Sequence, residues 1–211
     1  MKTSIIIASM LATLSLSACS VFGIRTGYDE VPYEKISNIG DVEIRSYPAR
    51  IVVEASNAAN RNTAFLSLFD YISGDNKVNK NIQMTSPVEL NELSSKKIAM
   101  TAPVQIQEDS NNQNVMMRFY LPSDFTLENS PKPKNPNLEL KELPPEHFAV
   151  LKYSGSSSVD NFLENKEKLL SALKTSQWKI IPPVSFLGYD PPFTIPFLKR
   201  NEVIVKVEKV D

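Results

Sequence analysis

The residues best placed for ligand chemistry stand near the C-terminus. Leu187-Gly188-Tyr189-Asp190-Pro191-Pro192 is followed by Lys199-Arg200-Asn201-Glu202-Val203. Adjacent prolines fix φ and restrict the residue before them, so the first run predicts a rigid extended corner. Between the runs lie Phe193, Ile195, Pro196, Phe197 and Leu198. An apolar flap that ends in two cations, Lys199 and Arg200, suits a flat apolar ligand carrying carboxylates. Asp190 and Glu202 could form a carboxylate pair for acid–base work, but no spacing in the sequence brings them together.

The remaining inventory excludes several chemistries. The chain of 211 residues has one His, His147, and one Cys, Cys19. A zinc site of His and Cys cannot be assembled from these. No nucleophile–base pair stands out, so a binding protein rather than an enzyme is expected. Lys and Arg number 23 against 24 Asp and Glu. That balance leaves no basic field for a phosphate backbone, and nucleic acid is not an expected partner. A composition 42% apolar and 22% charged is that of a globular chain with a proper core.

Cys19 has another use. Lys2 precedes an apolar run from Ile5 to Leu16, too short for an ordinary membrane span. Leu16-Ser17-Ala18-Cys19 then resembles the lipobox of bacterial lipoproteins. The resemblance implies cleavage before Cys19 and lipidation of that residue. With Ser20 next, it also implies sorting to the outer membrane, facing the periplasm. The organisation read from this is a signal peptide over 1–18, a lipidated tether over 19–32 and a ligand-binding domain over 33–211.

The elements that must position the flap follow from periodicity. Alternation predicts a strand from Val42 that continues past Pro48 through Arg50 to Ala55. Phe65, Leu68, Phe69 and Ile72 fall on one helical stripe, with Gly74 placed to end the helix. Strands are predicted over Ile82 to Val88, Ile98 to Val104, and Val115 to Leu121. A strand over Phe148 to Tyr153 opens the second half. A helix follows, with Ser157 and Asp160 at capping-box spacing and Val159, Phe162, Leu169, Leu170 and Leu173 as its apolar stripe. Strands over Val184 to Gly188 and Glu202 to Val207 close the chain. The order strand-helix-strand-strand occurs twice, which predicts a duplicated α+β unit around one core.

Four motifs in order are similar to those of the SOUL haem-binding family. They are Asp70 to Asn76, Lys97 to Val104, Met117 to Pro122, and Gly188 to Pro192 with Arg200 to Val203. The resemblance runs from about Tyr33 to Val207. It implies a distorted antiparallel β-barrel of two pseudo-symmetric halves with two helices, akin to bacterial effector-binding domains. It implies haem or another tetrapyrrole as ligand, held in a surface cleft between the first helix and the flap. On this chain the cleft would use Phe65, Leu68, Phe69 and Ile72 with Phe193, Ile195, Phe197, Lys199 and Arg200. Some members carry a His at the position of Ser46, so no axial ligand is assigned here.

The expected function is a membrane-tethered protein that binds haem or a related planar amphiphile by apolar contact and propionate–cation pairing. The alternative is an envelope lipoprotein that docks a peptide, a protein partner or another apolar effector. The anchor is testable directly. Cys19→Ala should leave unlipidated precursor or release the protein from membranes. A variant that still fractionates with membranes, its N-terminus unmodified, would contradict the anchor.

Overall fold

The computed structural model describes residues 29–77, 95–108 and 115–210. The expected signal peptide, the expected lipidation site at Cys19 and the strand expected over Ile82 to Val88 lie outside the described residues.

The first half contains β1 (Glu34–Ile39), β2 (Val42–Tyr47), β3 (Arg50–Ala58), α1 (Arg61–Ser73), β4 (Asn76–Lys77), β5 (Val104–Glu108) and β6 (Val115–Tyr120). The second contains β7 (Lys132–Pro133), β8 (Leu138–Leu143), β9 (Glu146–Tyr153), α2 (Val159–Leu173), β10 (Trp178–Gly188) and β11 (Asn201–Lys209). A short 3-10 turn, Pro196–Leu198, lies in the flap. One antiparallel sheet runs β1-β2-β9-β11-β10-β5-β6-β3-β8.

That order contains the duplication. The unit β3-α1-β5-β6 places its strands as β5-β6-β3, and the unit β9-α2-β10-β11 places its strands as β10-β11-β9. The halves meet where β5 pairs with β10. The strands that precede the units are exchanged. β2 leads into β3 but pairs with β9, whereas β8 leads into β9 but pairs with β3. Tyr47 lies opposite Glu146 and Arg50 opposite Leu143, so one register passes through both corners.

The sheet is not closed into a barrel, contrary to the expectation. Pro48, Pro144 and Pro145 occupy the corners, and proline has no N–H to carry the ladder across. The same corner splits the long strand expected from Val42 to Ala55 into β2 and β3. The strand expected from Ile98 also shortens, because β5 begins only at Val104. Ala102 instead donates its N–H to Asp29 O at 3.0 Å and accepts from Val31 N at 3.0 Å. Its ladder groups are spent on the segment that enters the domain, and Pro103 can donate nothing. β1 and β8 were absent from the sequence reading.

Alternation along the strands divides the core. Val53, Ala55, Met117 and Phe119 face α1, with Leu68 and Ile72 among them. Ile44, Ala149, Val203 and Val205 face α2, through Leu169 and Leu173. The opposite face gathers Val52, Tyr120, Val150, Leu187 and Ile204 from both halves into one cluster, so the sheet curls around it.

Both helices start on a capping side chain. Asn60 Oδ1 accepts from Thr63 N at 2.9 Å, and Gly74 closes α1 at a φ of 121° that favours glycine. Ser158, rather than Ser157, caps α2 by accepting from Asn161 N at 3.4 Å. Val159 is therefore at the helix entrance and exposed.

One ion pair spans the inner face. Arg45 on β2 and Glu202 on β11 are both fully buried. Arg45 Nη1 donates to Glu202 Oε2 at 2.9 Å, and Nη2 donates to Oε1 at 3.1 Å. Tyr189 Oη donates to Oε2 at 2.8 Å, and Arg200 Nη2 donates to Oε1 at 2.9 Å. The Arg45 guanidinium also lies 4.2 Å from the Tyr33 ring centroid. A buried pair repays its desolvation only when its remaining groups are satisfied, as these are.

Two outcomes follow. Residues 33–128 and 138–211, expressed separately, should aggregate or remain unfolded, because each half lacks the strand the other lends it. A cooperatively melting half would contradict the exchange. Glu202→Ala should lower stability by about 3–5 kcal/mol in denaturant titration, because it strands Arg45 without its partner. A loss under about 1 kcal/mol, the size of an exposed pair, would show that the network contributes little.

Candidate ligand-binding site

α1 sorts its apolar residues by position. Ala64, Leu68, Tyr71 and Ile72 are buried against the sheet. Phe65 and Phe69 fall on the flank of that stripe and remain 37% and 42% exposed. Their rings stack at 6.0 Å, and Phe65 meets the edge of Phe119 at 5.5 Å. Of the four helix positions expected to meet ligand, Leu68 is a core residue, Ile72 is buried but borders the cavity beside the helix, and Phe65 and Phe69 form the surface.

The segment after residue 95 borders this surface. Asn76 holds it by donating to Lys96 O at 2.8 Å and accepting from Lys96 N at 3.0 Å. Ile98 N then donates to Ile72 O at 2.8 Å. These bonds give Asn76, at the end of the first motif, a structural role. The result is an open cavity of about 320 Å³ lined by Phe69, Ile72, Ser73, Lys97, Ile98 and Met100. Lys97 and Met100 line this cavity and stand in the second motif, but the sequence pattern did not single them out as candidates. Their exposure beside α1 depends on a pairing that periodicity does not encode.

The flap divides in the same way. Phe193 and Phe197 are 64% and 72% exposed, and Ile195 is half-buried. Gly155 N donates to Pro196 O at 2.9 Å and ties the flap to the entrance of α2. The two cations hold the flap from inside. Lys199 is buried and donates to Pro192 O at 2.9 Å. Arg200 pairs with Glu202 and with Glu30, and its guanidinium lies 3.8 Å from the Tyr189 ring centroid. Asp190 Oδ2 accepts from Arg200 N at 2.6 Å. Asp190 and Glu202 do come close to the same residue, but as its anchors. Burial pushes the Tyr189 hydroxyl well above the usual tyrosine range, and the neighbouring Glu202 carboxylate adds to this.

Two further cavities share Arg50 as a wall. One, of about 400 Å³, has Asp29, Glu30 and Glu142 on its rim. The other, of about 220 Å³, lies on the inner face of the sheet and includes Arg50, Arg118, Glu146 and Lys206. The acidic rim makes the larger one a poor match for a ligand with carboxylates. Beside the smaller one, Glu54 is a buried acid. Burial opposes its charge, but hydrogen bonds from Lys141, Ser56 and Arg118 prevail and hold its pKa at about 2.

His147 is exposed on β9, directly opposite Ser46, and its ring meets Trp178 at 5.8 Å. It belongs to the α2 side of the molecule, whereas α1 packs on β3 and β6. Among the described residues, no group of three or more His, Cys, Asp or Glu could hold a metal ion. No described helix is long and apolar enough to cross a membrane.

Comparison with known proteins bears on the fold and the family. No curated protein sequence matched the chain. Among solved structures, the EcmrR C-terminal domain superposes with a TM-score of 0.53 at 13% identity, over 84% of this chain and 99% of that one. A hydrolase from Listeria innocua superposes at 0.52 and 9% identity, over 80% and 92%. An uncharacterized conserved protein from the same organism gives 0.53 and 9%, over the same shares. At these identities the likeness concerns the fold alone, which is that of effector-binding domains. Residues 28–206 match the SOUL heme-binding protein family, and the chain belongs to that family.

Proposed function

We propose that this protein binds haem or a related tetrapyrrole against the outer face of α1. The observation that carries the reading is the stacked, exposed pair Phe65 and Phe69 beside a cavity holding Lys97 and Met100. A half-exposed aromatic pair offers a macrocycle the apolar area that it must hide from water. Lys97 is an exposed cation at that edge and suits a propionate. It takes the role that sequence reading gave to Lys199 and Arg200, which the flap uses for its own shape. Phe193 and Phe197 supply a second apolar surface on the flap.

The residues fit the macrocycle better than its metal. Ser46 is a poor iron ligand, and His147 stands on the other half of the molecule. Met100 is the one soft donor lining the α1 cavity. Bound haem would bring an iron centre, but this chain's side chains bind and shield the ring without contributing acid–base groups. We read the role as binding rather than catalysis. We further propose a lipid anchor at Cys19 that holds the domain at the bacterial outer membrane, on the periplasmic side.

The test is a paired titration with haem and metal-free protoporphyrin. Metal-free porphyrin should bind nearly as tightly as haem. Phe69→Ser should weaken both by about 1–2 kcal/mol, the cost of losing part of a buried aromatic. Lys97→Gln should also weaken both, and His147→Ala should change neither. Loss of the haem spectrum in His147→Ala, with Phe69→Ser unaffected, would overturn the proposed site.

A further inference from the structure

The inner face of a curled sheet is ordinarily apolar, yet one end of this one is polar. Gln105 on β5, Arg118 on β6, Ser185 on β10 and Lys206 on β11 all line the cavity of about 220 Å³ at the junction of the halves. Buried polar groups are costly unless each finds a partner. Most do. Gln105 Nε2 donates to Ser185 Oγ at 3.1 Å, and its Oε1 accepts from Tyr120 at 2.8 Å. Arg118 pairs with Glu54. Glu146 accepts from Arg50 Nη2 at 3.3 Å and from Lys206 Nζ at 3.0 Å.

One donor is unmet. Arg50 Nε is buried and has no hydrogen-bond partner, in a side chain only 8% exposed. Its Nη1 is taken by the carbonyls of Pro48 and Pro144. The guanidinium is also held against the rings of Tyr47 and Phe148, at 5.1 Å and 5.4 Å from their centroids. These contacts hold the guanidinium across the corner and leave Nε without a partner. A buried, charged donor left unpaired is costly, and an acceptor brought to it, from a ligand or an ordered water, relieves that cost.

We infer that this cavity binds a small organic carboxylate, at a site separate from the α1 face. Charge decides the class. The lining carries three cations, Arg50, Arg118 and Lys206, against the carboxylate of Glu146, and with Glu54 behind Arg118 counted the site keeps one net positive charge. The cavity on the other side of Arg50 carries three acids and would repel the same ligand. Size and wall chemistry decide the rest. About 220 Å³ is below the range of drug-sized pockets and far too small for a macrocycle. Phe148, Ile181, Pro182 and Ile204 line it as well and suit a short apolar body. The carboxylate would accept from Arg50 Nε and from Lys206, with the body against Phe148 and Ile181. The site does not depend on tetrapyrrole binding.

Benzoate is the probe. Titrated into isotope-labelled protein, it should shift the Arg50 Nε–H and Gln105 side-chain amide signals saturably and leave Phe65 and Phe69 unmoved. Arg50→Lys keeps the charge but removes the unmet donor, and affinity should fall about tenfold. Should that variant fail to fold, Ile181→Trp narrows the mouth of the cavity at a half-exposed position and should lower affinity as much with the melting temperature kept. Benzylamine, the same body with a positive head, should not bind. Unmoved Arg50 and Gln105 signals, equal shifts from benzylamine, or full displacement by inorganic phosphate alone would overturn the inference.

Discussion

The buried pair of Arg45 and Glu202 is the interaction on which the rest depends. It joins β2, the strand lent to the second half, to β11 at the centre of that half. Two charges with no exposed surface are costly to remove from water, and mutual attraction alone does not offset that. The offset here comes from saturation. Both oxygens of Glu202 are engaged, by Arg45, Tyr189 and Arg200. Each of those groups fixes a different part of the structure. Tyr189 begins the flap, Arg200 ends it, and Arg200 reaches on to Glu30 where the chain enters the domain. The flap therefore inherits its shape from an ion pair inside the sheet.

This accounts for the C-terminal motif. Tyr189, Asp190, Arg200 and Glu202 close the loop through one another, and the apolar residues between them are displayed as a consequence. Phe193 and Phe197 are exposed because Lys199 and Arg200 are not free to be. The division of labour recurs at α1. Leu68 and Ile72 anchor the helix, so Phe65 and Phe69 can remain at the surface. On α1 the anchoring and displayed residues alternate along the chain, whereas in the flap the anchors stand at both ends and the displayed residues between them.

Much of this was legible in the sequence, and the reasons for the misses are physical. The two helices and the duplicated unit followed from apolar spacing, which reports local geometry well. The stripe on α1 was read one flank too wide, since spacing of three and four cannot tell the centre of a buried face from its edge. β1 escaped notice because it is largely exposed and carries little alternation, whereas β8 alternates apolar and polar only from Leu138 to Lys141, directly after a proline-rich crossing. The exchange of β2 and β8 is a long-range pairing, and nothing local distinguishes it from a simple hairpin. The roles of Lys199 and Arg200 were misread for the same reason. Their partners, Pro192, Glu202 and Glu30, include one that lies 170 positions away in sequence. Lys97 reaches the cavity beside α1 only through Asn76, which pins its neighbour Lys96 there.

We propose a planar ligand on α1, held by shape and one exposed cation rather than by an iron bond. Ferric haem is paramagnetic and broadens the signals of nearby protons, so it reports its own position. Added to protein labelled at phenylalanine, it should broaden Phe65 and Phe69 first and leave His147 and the inner-face residues sharp. Broadening centred on His147, with the α1 aromatics unchanged, would contradict the account.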